Sequence, residues 1–416
     1  YAKAGLLEEA VEILQACPEQ SPMPSYYEGY LHGLAGDEAA ARACCLRAEH
    51  LPAPRCYPNR VEEIAILEYA IRLLGRAPRA HALLGCLLYD KKQADAAIAH
   101  WEASVQQDPG QALVHRNLAI ARYNKQGDAD AALREMEQAR RLDPGYPRLL
   151  LEYDQLAARL GRSNAARLQL LEENLALVEQ RDDLMLRYVT LLNCEGRCEE
   201  ALQILLTRRF HPWEGGEGKV SAQYRYALIR LAKDCLNRGE NDRAVQLLEQ
   251  SKTYPDTLGE GKLPNVPDNE ADYWQGVALR AMGREPEAAA AFLRAASGPQ
   301  EPGRVLYYND QPSDFIYYQG LAQRAMGNEA AARKAFHKLL TYGETHLFDA
   351  VAYDFFAVSL PEIEVFADDI ALRNRQYCNY LRALGCAGLG RTSEAAELFA
   401  GILELQPDDQ GALRHA

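Results

Sequence analysis

Residues Pro78 to Gln111, PRAHALLGCLLYDKKQADAAIAHWEASVQQDPGQ, decide the fold. The stretch reads as a helix, a short turn and a second helix. Gly85 is a small residue midway along the first helix, so the second helix can approach closely, and Trp101 fills the groove beside it. Asp108-Pro109 ends the second helix, because proline disfavours helical backbone in the residue before it. Leu84-Gly85, Ala97, Trp101 and Asp108-Pro109 define a pattern that returns at close to 34 residues, the signature of a repeat array.

Working outward, the next copy carries Leu118-Ala119, Gly127, Ala132, Met136, Ala139 and Asp143-Pro144. Later copies show Gly276, Gly283, Ala288 and Phe292, then Gly320, Gly327, Ala332 and Phe336, then Gly390, Ala395, Phe399 and Pro407. Weaker copies centre on Gly36, Gly161, Gly196 and Gly239. The glycine between paired helices is expected to take the left-handed C-cap conformation. Several copies in register resemble the tetratricopeptide repeat (TPR) family over nearly the whole chain. The resemblance implies an all-α, right-handed α-solenoid of about nine TPR-like hairpins, each contacting mainly its neighbours. Arg in place of Gly276 or Gly320 should then cost more than about 1 kcal/mol through overpacking. Residues 1–180 read as regular repeats, and 181–416 as repeats with long inserted loops, continuous with the first part.

The chain has 416 residues, 48% of them hydrophobic and 25% charged, which suits a folded protein with a sizeable core. A net charge of -13 argues against nucleic acid, whose phosphates need clustered Lys and Arg. No apolar run reaches membrane-spanning length, and no signal-peptide pattern opens the sequence. The ten cysteines fall mostly inside helical patterns and read as small buried hydrophobes of a reducing compartment, the cytoplasm. Tyr1 to Gly5 reads as the tail of a helix whose partner is Leu6 to Cys17, so a piece of a longer polypeptide is expected.

The C-terminal half departs from the regular pattern at Phe210 to Lys219, FHPWEGGEGK, where Pro212 and the glycines exclude helix. Long connections also run from Thr253 to Glu270, Gly298 to Pro312 and Tyr342 to about Arg373. Each joins the second helix of one hairpin to the first of the next, so the four should lie side by side along one edge. Gly216-Glu-Gly-Lys219 recurs as Gly259-Glu-Gly-Lys262 in an equivalent turn. The candidate binding residues are His211, Trp213, Glu214, Glu217 and Lys219 in the first loop, Lys262, Asn265 and Asn269 in the second, and Tyr307, Tyr308, Asn309 and Asp310 in the third. Aromatic faces beside carboxylates and amides suit a polar ligand or a domain interface. The plainer alternative is that long loops fold over the solenoid and use their aromatics as pegs.

From Glu195 to Ala416, the segments FHPWEGGEGK, LGEGKLPN, NDQPSDFIYYQGLA and FFAVSLPE with RNRQYCNYLRALGCAGLG resemble the helical repeat region of large bacterial proteins of poorly defined function. Their N-terminal part is β-rich and resembles carbohydrate-active domains. The resemblance implies that this chain is the helical part of a two-part protein, and it brings no catalytic assignment.

Sharper chemistries mostly fail. Val220 follows Gly218-Lys219 where a P-loop needs Ser or Thr. Cys194 and Cys198 lack a second pair at zinc spacing, and Cys44-Cys45 with Cys56 is no better, so no metal or cofactor is expected. His211, Glu214 and Glu217 are the one group that favours an enzyme, by analogy with the paired carboxylates of glycoside hydrolysis. The clamp that captures chaperone tails is missing, since Ala82 and Cys86 stand where Lys and Asn are needed and only Asn117 fits. The expectation is a non-catalytic scaffold that docks a protein, or an N-terminal domain of its own polypeptide, through the loop edge with Trp213 as anchor. The alternative is an accessory part of a carbohydrate-active enzyme whose loops complete a sugar-binding site.

Overall fold

The computed structural model describes residues 1–16, 21–53, 56–307, 310–353 and 364–416, and among these there is no β-strand. The chain is an all-α solenoid of adjacent helix pairs, in two compact units, Tyr1–Tyr153 and Asp154–Ala416.

In the first unit the closest pairs are Pro22–Leu34 with Glu38–His50, Pro78–Asp90 with Ala94–Gln107, and Ala112–Ala121 with Ala129–Leu142. The middle pair shows how sequence sets the packing. A Cβ on Gly85 would lie 2.5 Å from the Trp101 ring, so only glycine admits the indole there. Trp101 is buried, its Nε1 donates to the Ala82 carbonyl at 3.2 Å, and Ser104 Oγ donates to the Pro78 carbonyl at 2.7 Å. The turn of this hairpin has no glycine. Lys92 takes the left-handed conformation instead, at φ 64°, which an L-residue adopts at some cost in strain.

The second unit repeats the device with phenylalanine. Asn269–Ala281 pairs with Glu285–Ala295 through Gly276 and Phe292, and Phe315–Ala325 pairs with Glu329–His346 through Gly320 and Phe336. A Cβ would meet the rings at 2.6 Å and 2.5 Å respectively, which is the physical reason that Arg at either glycine is disruptive. The turn glycines Gly283 and Gly327 sit at φ 72° and 85°, as the C-cap reading expects. The other pairs of this unit are Asp182–Cys194 with Cys198–Thr207, Lys219–Asn237 with Asn241–Gln250, and Ile370–Gly388 with Thr392–Leu405. A six-residue helix, Gln410–His415, follows.

Candidate functional site

Two surfaces of the second unit carry the polar chemistry, the edge made by the long connections and the face made by the first helices of successive hairpins.

At the edge, the first two connections interlock. The Phe210 N–H donates to the Thr257 carbonyl at 2.8 Å, and Gly259 lies so close to the Phe210 carbonyl that a Cβ there would be 2.3 Å from its oxygen. The Glu260 carboxylate accepts from the backbone N–H groups of Gly218 at 2.7 Å and Ser221 at 3.0 Å. It therefore caps the helix Lys219–Asn237 from the neighbouring loop, placing negative charge where the helix dipole is positive. The two Gly-Glu-Gly-Lys segments are thus in contact, and the glutamate of the second serves the helix that opens from the first. The third and fourth connections also touch. Arg304 pairs with Asp349, the Arg373 guanidinium donates to the Leu306 carbonyl at 3.0 Å, and the Tyr307 and Tyr353 rings are 6.4 Å apart.

The individual candidates divide between presentation and internal bonding. His211 is largely exposed, with its backbone N–H and its Nδ1 at 2.9 and 3.0 Å from Asp182. Burial works to raise the Asp182 carboxyl, but hydrogen bonds from Arg208 and His211 outweigh it and hold the group below its ordinary range. Trp213 is half-buried with its ring laid on Gly216, Glu214 is exposed, and one oxygen of Glu217 is buried without a hydrogen-bond partner. Lys219 is half-buried at the start of its helix. Lys262 binds both Asp268 oxygens at 2.6 Å, and the buried Asn269 amide donates to the carbonyls of Ala295 and Ser297 at 2.7 and 2.8 Å. Asn265 is exposed. Asp310 accepts from the backbone N–H groups of Leu306 and Tyr307 at 2.8 and 3.0 Å and so holds its own turn. Tyr308 and Asn309, like Asp354, Phe355 and Phe356 of the fourth loop, lie outside the described residues.

The other surface went unnoticed in the sequence. Residues 407–415 touch the helix Asn164–Glu172 and the first helices of three later hairpins. The Asn164 amide donates to the Pro407 carbonyl at 2.7 Å, and Arg167 reaches Asp408 at 2.9 Å. Gln223 meets Gln410, Lys233 donates to the Arg414 carbonyl at 3.3 Å, and Arg414 pairs with Glu270 at 2.5 Å. His415 bonds Tyr318 at 2.8 Å, while its ring stacks on Phe399. A six-residue helix is only about 9 Å long. Elements that all reach so short a segment curve around it, so within the second unit residues 407–415 lie against an inner surface made by Asn164–Glu172 and by the first helices that begin at Lys219, Asn269 and Phe315. Most of its arginines are paired with carboxylates, while burial and the nearby Arg230 and Arg414 lower the pKa of Lys233. Asp154 is buried, takes two bonds from Arg167 at 2.8 and 3.1 Å and one from Arg187 at 2.7 Å, and is held ionised by these arginines against the opposing effect of burial.

Comparisons with known proteins find one family model and several solved structures similar to this chain. Residues 314–342 match the tetratricopeptide repeat family. Beyond that segment, the repeated pairing of adjacent helices is consistent with TPR-like hairpins through most of the chain. Among solved structures, the chain is similar to YrrB, described as a TPR protein with an unusual peptide-binding site, at 14% identity over 54% of this chain and 96% of that one, with a TM-score of 0.34. It is similar also to the Naa15/Naa10 assembly bound to HypK-THB, at 13% identity over 94% and 64% of the two chains with a TM-score of 0.41. A tetratricopeptide repeat protein from Parabacteroides merdae matches at 16% identity over 73% and 100%, with a TM-score of 0.31.

These findings correct one expectation. The resemblance of Glu195 to Ala416 to bacterial proteins with a β-rich, carbohydrate-active-like part is overturned, since the described residues hold no strand and the family model that matches within that stretch is the tetratricopeptide repeat. The physical reason lies in the loop segments that carried the resemblance. Their distinctive residues do structural work between hairpins, Glu260 as a helix cap, Lys262 on Asp268 and Asn269 on two carbonyls.

Proposed function

We propose that this chain is a non-catalytic scaffold that docks a protein partner along the edge of its long connections, with Trp213 as the anchor. The observation that supports this reading is the occupancy of the inner face. Helical solenoids bind on an extended concave surface, and here residues 407–415 occupy the inner surface of the second unit. The edge remains presented. His211 and Glu214 are exposed there, as are Leu263 at 44% and Phe348 at 83% on later connections. Interlocking through Glu260 keeps the first two loops in one arrangement, so a partner would meet a preformed surface and bind with less ordering cost. The described cysteines are free thiols, and among the described residues no helix is long and apolar enough to cross a membrane. The free thiols support a reducing compartment such as the cytoplasm as the place where the scaffold works.

The test is a photocrosslinking residue at position 214 combined with Trp213→Ala. Crosslinks to a protein at 214 are expected, and Trp213→Ala should weaken capture of that protein about thirtyfold, the loss of a hot spot worth about 2 kcal/mol. Residues 211–219 and 256–269 should gain hydrogen-exchange protection when the partner binds. Capture that survives Trp213→Ala unchanged would overturn the reading.

A further inference from the structure

We propose that Glu28, His32 and Cys44 form a binding site for a divalent metal ion of zinc type, which clasps the helices Pro22–Leu34 and Glu38–His50 together. Three features of the fold build the site. Glu28 and His32 stand four residues apart, so they share one face of the first helix. Gly29, between them, removes the bulk that would hold the second helix away, since a Cβ there would lie 2.6 Å from Cys45 Sγ and 2.9 Å from the Ala41 carbonyl oxygen. That close approach carries Cys44 in against the Glu28 and His32 face, and the three donor atoms lie within 4.8 Å of one another.

Burial and chemistry both favour a metal over a chance meeting of polar groups. Glu28 and Cys44 are each 5% exposed, and the His32 side chain is only 25% exposed, so the donors converge in a largely dry place. A thiolate, an imidazole and a carboxylate together suit Zn²⁺, whose four-coordinate sites with three protein ligands keep one position for water. Ligands of a tetrahedral zinc are separated by roughly 3.5 Å, so the donors need to close by about 1 Å. Glu28 Oε1 already stands 4.0 Å from His32 Nε2.

The surroundings fit the outer partners that orient metal ligands. The Gln15 amide donates to Glu28 Oε1 at 2.8 Å, and Arg47 pairs with Oε2, leaving a lone pair on Oε1 for the ion. Charge also balances. The two positive charges of the metal are offset by the Glu28 carboxylate and the Cys44 thiolate, whose proton passes to solvent on binding. Arg47 is half-exposed and lies close to Cys44 as well as Glu28, so its charge favours the thiolate that a metal requires, against the burial that raises the thiol.

The experiment is a titration of the metal-free full chain with Zn²⁺ against a chromophoric chelator, and in parallel with Co²⁺. One equivalent should bind at about 1 µM or tighter near neutral pH, with release of about one proton per ion. Co²⁺ should give a thiolate charge-transfer band and the strong visible bands of a tetrahedral site. Cys44→Ser and His32→Gln should each weaken binding by at least about a hundredfold, beyond the loss typical of an outer partner, and abolish the thiolate band or the tetrahedral spectrum. Both replacements are close in size to the original, and thermal melting of the metal-free proteins checks that they fold. Zn²⁺ should raise the melting temperature of the parent chain and leave Cys44→Ser unmoved. Binding weaker than about 1 µM, or a titration that Cys44→Ser leaves unchanged, overturns the site.

Discussion

Gly320 meets Phe336 inside one hairpin, whereas Arg414 meets Glu270 across 144 residues of chain. The first kind of contact is apolar, local and repeated, because a glycine faces an aromatic ring at the same spacing in three copies. The second is charged and unique, since it joins a single short segment to many hairpins. The difference teaches where stability and uniqueness come from in this protein. Seams between paired helices rest on burial and close packing, which tolerates changes that conserve volume. The inner face of residues 154–416 rests on buried charges that are stable only while every partner stays in place.

The largest effect should therefore come from the inner face. Asp154 is 1% exposed and holds both Arg167 and Arg187. Asp154→Ala leaves those guanidinium groups short of a counter-charge, and unfolding by urea should show a loss of about 3 to 5 kcal/mol. A loss below about 1 kcal/mol would show that Asp408, at 2.9 Å from Arg167, neutralises the arginines by itself. The contrast with the seams would then collapse.

A smaller effect should follow acidification. The ring of His415 is enclosed by Tyr317, Tyr318, Tyr380 and Phe399, and desolvation together with the neighbouring Arg414 pushes its pKa down to about 4. The unfolded chain, with an ordinary histidine near 6.5, thus binds more protons than the folded one between about pH 6.5 and pH 4. Stability from the neutral imidazole is present above that window and is lost as pH falls through it, by about 2 kcal/mol in total once partial exposure is allowed for. Burial raises the Asp314 and Asp409 carboxyls, which works in the opposite direction on acidification. The informative quantity is accordingly the difference between the parent chain and His415→Gln. The parent should lose more stability than the variant between pH 6.5 and 4, and parallel curves would show that the ring is solvated.

How much of this was legible in the sequence follows the same division. Gly85, Gly276 and Gly320, with Trp101, Phe292 and Phe336 at a fixed spacing, disclose the seams because the physics of one hairpin is complete within about 34 residues. Lys92 shows where the pattern hides its cost, since no glycine marks the left-handed turn that it occupies. The contact between the first two long loops was also legible, because turns of one class stack along one edge of a repeat array. The inner segment was not. Asp408-Asp409 and Arg414-His415 look like an ordinary helix start and end, and nothing local says that their partners are Arg167, Gln223 or Glu270. The Glu28, His32 and Cys44 grouping was half legible. The four-residue spacing of the first two is visible, but Cys44 joins them only through the close approach that Gly29 allows.

The smallest predicted effect probes the boundary between the two regimes. Glu260 is a charged residue in a local, repeated segment, and it bonds the backbone N–H groups of Gly218 and Ser221 at the start of the helix that follows the neighbouring loop. It thus combines the chemistry of the inner face with the position of a seam. Because it is half-buried and caps a helix end that water can also reach, Glu260→Ala should cost only about 1 kcal/mol. The cost should be local, with faster hydrogen exchange at Gly218 and Ser221 and no change at the buried core of the hairpins. Glu260→Gln keeps the acceptor oxygen and loses the charge, so it separates capping from the dipole effect and should fall between the parent and the alanine variant. A loss of about 3 kcal/mol or more with global loosening would place the interlocked loops with the inner face as part of the core. A surface of that kind would be unsuited to exchange partners, and the docking edge would have to be sought elsewhere along the connections.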